Sequence, residues 1–127
     1  MKKILIVESD DRTRRGVLRI LQDSGHEVVP AKSKAEALGV IQRWKPELAI
    51  ASLDLGNGTD GLDLLKEADA AHLQTEFWLV PNTLIDTVTA QALELGAKTV
   101  IARSLVISHL LAEKIISLAV NTDTKAA

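Results

Sequence analysis

The chain has 127 residues, 46% of them hydrophobic and 25% charged, a composition typical of one globular domain with a single core. It contains no cysteine, which excludes disulfides and thiolate metal sites, and no apolar run approaches the roughly 20 residues needed to span a bilayer. The formal net charge of −2 and the presence of only three aromatic residues argue against nucleic-acid binding, so we expect neither a nucleic-acid nor a membrane partner.

The first half of the chain alternates between short apolar runs and amphipathic stretches. The predicted elements are strands at residues 4–7, 27–29 and 48–51, and helices at about residues 12–24 and from residue 33 to just before Pro46. Gly25 provides the stop of the first helix, and a capping box from Ser33 to Glu36 begins the second. The continuous apolar character of the strands is typical of strands that are buried on both faces.

The same alternation continues in the second half, after a glycine-bearing loop at residues 56–61. The predicted elements are strands at residues 77–80 and 99–102, and helices beginning near Leu62, at about residues 84–95 and at about residues 105–120. Asn82 or Thr83 is the expected cap of the helix that Gly96 ends, and Ser104 is the expected cap of the last helix.

Five strand–helix units without a linker or repeat predict a single α/β domain over residues 1–120, followed by a flexible polar tail at residues 121–127. The leading fold is a flavodoxin-like (βα)5 sandwich with a parallel sheet in the order 2-1-3-4-5. In such a sheet the functional site lies at the carboxyl ends of strands 1 and 3, where the strand order reverses. We also expect a cytoplasmic location, because the first residues lead directly into a strand-like segment and not into a signal peptide.

Several motifs of the scaffold resemble one known family. They are residues 3–7 with the acidic residues that follow, Arg14-Arg15 in the first helix, residues 46–50 before the third strand, residues 60–65 after its loop, and residues 92–97 before the fifth strand. Over about residues 2–120 the chain resembles the receiver domains of response regulators in two-component signal transduction. The resemblance implies a CheY-like fold and a place in a phosphorelay.

The family's chemistry depends on a few side chains at the carboxyl edge of the sheet. Two acids after strand 1 and an aspartate ending strand 3 hold Mg²⁺, and that aspartate accepts a phosphoryl group from a histidine kinase. A serine or threonine after strand 4 and a lysine after strand 5 bind the phosphoryl oxygens, while an aromatic residue on strand 5 acts as a switch.

The resemblance places different residues at nearly all of these positions. Glu8 takes the place of the first acid, Ser9 of the second, Ser52 of the phosphoacceptor, Pro81 of the serine or threonine, Val100 of the aromatic switch, Arg103 of the lysine, and Ser104 of the proline that follows it. This set of replacements implies a pseudo-receiver that is not an enzyme, has no required cofactor, and acts by protein–protein interaction without phosphorylation.

A residual acidic pocket remains around Glu8, Asp10 and Asp54. A weak Mg²⁺ site formed by Glu8 and Asp54 is one expectation for it. Alternatively, Asp10 or Asp11 caps the first helix. Arg103 is expected to form an ion pair with Glu8 or Asp54 in place of the metal and phosphate.

Two surface features complete the expectations. The arginines at positions 12, 14, 15 and 19 resemble a basic patch, which we interpret as a solvated helix face balanced by the acidic turn before it. In the last helix, Val106, Ile116 and Val120 fall largely outside the core stripe. In the family that the chain resembles, the face formed by the fourth helix, the fifth strand and the fifth helix is the usual partner surface, so the resemblance implies a docking surface there for a signalling protein or a second copy. The alternative is that the tail simply shields this end of the helix.

Two alternative functions stay open. The first is a working phosphoreceiver in which Asp54 accepts the phosphoryl group with Mg²⁺, and the second is an unrelated flavodoxin-like ligand-binding protein. A nucleophilic Ser52 would need a neighbouring base. The three histidines are expected to be solvated or interfacial, and none is expected at the site.

Overall fold

The computed structural model describes residues 2–55, 60–72, 74–81 and 86–101. The strands are β1 (Lys3–Val7), β2 (Glu27–Ala31), β3 (Leu48–Ser52), β4 (Glu76–Val80) and β5 (Thr99–Val100), and the helices are α1 (Asp11–Asp23), α2 (Lys34–Trp44), α3 (Asp60–Ala70) and α4 (Asp86–Glu94). The predicted last helix and the predicted tail lie outside the described residues.

The five strands form one parallel sheet in the order β2-β1-β3-β4-β5, which confirms the predicted flavodoxin-like topology. Alternate residues of each strand face opposite sides of the sheet and feed two buried clusters. One cluster includes Val17 and Leu21 of α1, and the other includes residues of α2, α3 and α4. Because β1 and β3 are neighbours, their carboxyl ends meet at the same edge of the sheet.

Most helix ends follow the sequence signals. The Asp10 carboxylate accepts a hydrogen bond from the Thr13 N–H at 2.8 Å and caps α1. Ser33 caps α2 by accepting from the N–H of Glu36. Gly25 and Gly96 both adopt positive φ angles after a helix, which is where the sequence placed the helix stops.

Some local predictions differ from the structure, among them the fifth strand, which was predicted at residues 99–102 and spans Thr99–Val100. Strand β2 extends to Ala31, beyond its predicted end at residue 29, and it includes Pro30. The edge position of β2 explains this extension, because a proline in an edge strand costs no ladder hydrogen bond when its nitrogen faces outward. His26 is buried and accepts a hydrogen bond from the N–H of Lys2 at 3.1 Å, so of the two expected environments, solvated or interfacial, the solvated one is wrong.

Gly61 brings α3 into direct contact with the end of β3. Its N–H donates to the Leu53 carbonyl at 2.8 Å. A Cβ atom at position 61 would lie 2.4 Å from the Ser52 carbonyl oxygen and 2.7 Å from the Leu53 Cα. Since both atoms belong to the backbone, a side chain here requires the helix and the strand end to separate.

We therefore expect Gly61→Ala to lower the free energy of unfolding by about 1–3 kcal/mol, the usual cost of overpacking. Gly16→Ala in α1 is the matched control, because nothing lies within 4 Å of its would-be Cβ. The control should gain about 0.5–1 kcal/mol from helix propensity. Urea denaturation measures both changes, and equal stabilities for the two variants would contradict the close approach at Gly61.

Candidate functional site

The carboxyl ends of β1 and β3 carry two buried polar residues. Glu8 directly follows β1 and is 5% exposed, while Ser52 is the last residue of β3 and is 2% exposed. Both line a cavity of about 20 Å³, room for about one water molecule. The other lining residues are mainly apolar: Ile6, Val7, Val17, Ile50 and Val80, with Thr13 from α1. The space at the strand ends is therefore small and largely apolar.

Ser52 and Asp54 have different environments. The Ser52 hydroxyl donates to the Asp54 carbonyl oxygen at 3.3 Å, and Ser52 lies in register with Val80 of β4. Asp54 is exposed and lies two residues beyond the end of β3. The buried strand terminus therefore presents a hydroxyl, and the neighbouring carboxylate lies further along the loop toward solvent.

The carboxylates of Glu8 and Asp10 both accept hydrogen bonds from backbone N–H groups of the β1–α1 region. The Glu8 carboxylate accepts from the N–H of Asp10 at 2.9 Å, and the Glu8 N–H donates to the Ala31 carbonyl at 3.0 Å. The Asp10 carboxylate caps α1 through both the N–H and the hydroxyl of Thr13. Within residues 2–55, 60–72, 74–81 and 86–101, no three His, Asp or Glu side chains are close enough together to hold a metal ion.

Arg14 is the residue beside this site that the sequence interpretation misplaced. It is 8% exposed and does not belong to a solvated basic face. Its Nη1 donates to the carbonyl of Glu8 at 2.9 Å and to that of Ser9 at 3.4 Å, and its Nη2 pairs with the Asp11 carboxylate. The signal was present in the spacing, because Val17 and Leu21 follow at positions i+3 and i+7 on the buried face of α1.

This contact also changes the acidity of Asp11. The hydrogen bond from Arg14 and the charge of Arg14 lower the pKa of Asp11 below its ordinary value of 3.8, with smaller contributions in the same direction from Lys32 and Arg15. The sequence interpretation treated Asp11 as a counter-charge to the whole basic patch. In the structure its carboxylate interacts mainly with the buried guanidinium of Arg14.

The remaining positions of the predicted site are only partly described. Pro81 is buried directly after β4, and Val100 of β5 is half-buried against the core, paired with Leu79. Arg103, Ser104, Val106, Ile116 and Val120 lie outside the described residues. The ion pair between Arg103 and Glu8 or Asp54 therefore stays a prediction.

Comparison with protein families identifies this arrangement. The family model described as "Response regulator receiver domain" matches residues 4–114. The chain belongs to this family. Receiver domains of response regulators have the CheY-like fold, so the strand ends around Glu8 and Ser52 lie at the edge where the family carries its functional site.

Solved receiver domains share the fold. The chain is similar to the signal receiver domain of NarL from Mycobacterium tuberculosis, with 25% identity, a TM-score of 0.75, and coverage of 87% of this chain and 94% of that one. A CheY-like receiver domain protein from Methanospirillum hungatei JF-1 has 24% identity and a TM-score of 0.82 over 100% of this chain and 99% of that one. The BeF3-activated receiver domain of Klebsiella pneumoniae RstA has 25% identity and a TM-score of 0.73, covering 87% and 96%.

A search of curated proteins finds no significant match. Among the described residues, no helix is both long enough and apolar enough to cross a bilayer.

We expect Arg14→Met to lower the free energy of unfolding by about 1.5–3 kcal/mol, because two loop carbonyls lose a charged donor. Arg15→Met is the matched control, since Arg15 is the adjacent arginine and is exposed. The control should change stability by less than about 0.5 kcal/mol. Chemical denaturation measures both, and equal losses would show that the Arg14 contacts do not stabilise the loop.

The pH dependence gives a second readout of the same contact. Because the pKa of Asp11 is lowered in the folded protein, its ionised form contributes stability above the ordinary value of 3.8, and this contribution is lost as the pH falls through the lowered pKa. The Tm values of the wild type and Asp11→Asn should therefore differ above that value and converge below it. In an NMR titration of Arg14→Met, the pKa of Asp11 should rise toward its ordinary value.

Proposed function

We propose that this receiver domain signals without being phosphorylated, as a non-enzymatic, cytoplasmic protein-binding module in a two-component-type pathway. The proposal rests on the identity, burial and hydrogen bond of the residue that ends β3. The residue that ends β3 is a serine, it is buried, and its hydroxyl bonds to the chain's own Asp54 carbonyl. Its small pocket is lined mainly by apolar side chains.

A hydroxyl in this setting is a poor phosphoryl acceptor. Serine needs an adjacent general base to act as a nucleophile. His26 precedes β2 and His72 follows α3, which places both beyond the amino ends of the neighbouring strands and far from the carboxyl ends where Ser52 lies. A seryl phosphate is also a stable ester, whereas reversible switching in the family relies on a labile acyl phosphate.

The charge pattern of the β1–α1 loop supports the same proposal. Clustered carboxylates at a phosphorylation site repel one another unless a cation lies among them. Here Ser9 replaces one acid, and Glu8 accepts from a backbone N–H of its own loop. The buried Arg14 of α1 supplies positive charge to this loop. Because this charge belongs to the chain itself, it does not depend on a bound metal ion.

Asp54 as the phosphoacceptor is the alternative with a structural basis, since its carboxylate is the first one after β3. This assignment would require β3 to shift by two residues relative to its neighbours. Residues 48–51 pair with β1 and residues 48–52 pair with β4 in continuous register, which favours Ser52 for the acceptor's place. A weak Mg²⁺ site at Glu8 and Asp54 belongs to this alternative.

The docking surface that we propose lies on α4, β5 and the predicted last helix, and it would bind a signalling protein or a second copy of the chain. Leu93 of α4 supports it, because this large apolar side chain is 49% exposed. Val106, Ile116 and Val120 are the residues that the sequence assigns to the same surface. Apolar side chains exposed together are typical of interaction sites.

A phosphodonor experiment separates the two functions. We expect no mass increase by one phosphoryl group when the protein is incubated with Mg²⁺ and acetyl phosphate, under conditions that fully modify an aspartate-bearing receiver. Beryllofluoride should likewise leave the Trp78 fluorescence unchanged. Modification of the wild type that disappears in Asp54→Ala would reject the proposal and establish the alternative.

Light scattering tests the docking surface for self-association. Leu93→Asp and Ile116→Asp should each weaken a homodimer by roughly tenfold or more in Kd, because they place a charge in an apolar interface. Gln91→Asp is the matched control, since Gln91 is exposed on the same helix. A dimer that is unchanged in both apolar variants would exclude this surface as the dimer interface, and a strictly monomeric wild type would leave only the signalling protein as its occupant.

A further inference from the structure

A cavity of about 400 Å³ lies beside the amino ends of β3 and β4, at the opposite edge of the sheet from Ser52. Two apolar and five polar residues line it: Ile41, Pro46, Lys45, Glu47, His72, Gln74 and Thr75. We refer to it as the amino-end cavity. A strand of five residues spans about 16 Å, so this cavity is separate from the pocket at Ser52. Its volume lies within the range of roughly 300–1,000 Å³ that is typical of small-molecule sites.

Hydrogen bonds between two loops fix the base of the amino-end cavity. The Thr75 hydroxyl donates to the Pro46 carbonyl at 2.7 Å, which joins the segment before β4 to the segment before β3. One residue further along, the Glu76 N–H donates to the Glu47 carbonyl at 3.0 Å. Ile41 and Pro46 are buried and form an apolar floor. The cavity is therefore part of the folded domain and does not have to be opened by a ligand.

Two residues of the lining have an unusual backbone conformation. Lys45 and His72 have φ angles of 53° and 56°, and within the described ranges they are the non-glycine residues with positive φ. They follow the ends of α2 and α3, whereas Gly25 and Gly96 stand at the corresponding places after α1 and α4. Glycine adopts this region without strain, and other residues held in it are typical of functional sites. The two helix ends beside the cavity thus carry basic side chains where glycine would fit the backbone better.

The polar side chains of the lining carry complementary charges and donors. Lys45, His72 and Gln74 are exposed and provide N–H donors. Glu47 provides a carboxylate, and one of its oxygens lies 3.5 Å from Nζ of Lys2. Each carboxylate oxygen can accept more than one hydrogen bond, so Glu47 can bind a further cation. The cavity therefore offers donors for an anion and an acceptor for a cation beside the same apolar floor.

We propose that the amino-end cavity binds a free α-amino acid with an apolar side chain. The carboxylate of the ligand pairs with Lys45 and His72, its ammonium group pairs with Glu47, and its side chain covers the apolar floor. A simple carboxylic acid would leave the Glu47 carboxylate facing a like charge, and a simple amine would leave the basic side chains facing one. A zwitterion pairs with both groups. This site is independent of the proposed function at Ser52 and at α4.

Isothermal titration calorimetry of the full chain tests the ligand class with matched compounds. We expect L-leucine or L-phenylalanine to bind saturably. N-acetyl-L-leucine lacks the ammonium charge and L-leucinamide lacks the carboxylate, so each should bind roughly tenfold more weakly than L-leucine or worse. These two compounds also represent the last and the first residue of a peptide. Equal binding of either one would overturn the proposal in favour of that chain end, and failure of both free amino acids to bind would overturn it outright.

Glycine variants separate ligand binding from a purely structural role of the two basic residues. Lys45→Gly and His72→Gly should each weaken binding by roughly tenfold, because a charged or hydrogen-bonded partner is lost. Neither should lower the Tm, because glycine adopts the left-handed conformation without strain. Lys32→Gln is the control, since Lys32 is exposed directly after β2, at the other edge of the sheet. It should change the affinity by less than roughly twofold.

The same variants also define the contradicting result. Lys45 and His72 could serve only to compensate the partial negative charge at the ends of α2 and α3. In that case both glycine variants would lower the Tm, measured by circular dichroism, and leave the amino-acid affinity unchanged. That result, or an equal loss of affinity in Lys32→Gln, would overturn the proposal.

Discussion

The buried guanidinium of Arg14 holds together the loop on which the rest of the site depends. It donates to the carbonyls of Glu8 and Ser9 and pairs with Asp11, so that one side chain from α1 ties the end of β1 to the first turn of the helix. Burying an arginine costs free energy unless its donors are satisfied, and these contacts satisfy it at short range. The loop is therefore ordered by the chain's own cation, and the positions of Glu8 and Asp10 follow from it.

The sequence predicted the parts of this molecule that depend on local periodicity. The Asp10 cap, which the sequence left open between Asp10 and Asp11, the Ser33 cap and the glycine stops follow from patterns within a few residues, and each is found in the structure. The strand order was predicted from the regular alternation of strands and helices along the whole chain, and it is confirmed. Burial of Arg14 was missed because an arginine among other arginines resembles a solvated face, although its spacing to Val17 favours the core. His26 was missed because its partner, the Lys2 N–H, is distant in sequence and comes near only through the sheet.

The end of β3 shows how side-chain chemistry and scaffold are separable in this fold. Ile6, Ile50 and Val80 fill the space beside Ser52, while the hydrogen bonds that position the strand end run through backbone atoms, such as Leu53 N–H to the Val80 carbonyl at 2.9 Å. Those bonds are the same for any residue at position 52. The position of the strand end in this receiver therefore does not depend on which side chain stands at position 52.

The close contact between α3 and the end of β3, in contrast, does restrict which residue fits. Gly61 has no side chain, and the space where a Cβ would lie is already taken by the backbone of Ser52 and Leu53. A substitution at position 52 alters only what the strand end presents to the pocket, whereas a substitution at position 61 moves a helix. The side chain at position 52 can thus be exchanged within the space of its pocket, whereas a side chain at position 61 pushes α3 away from the end of β3.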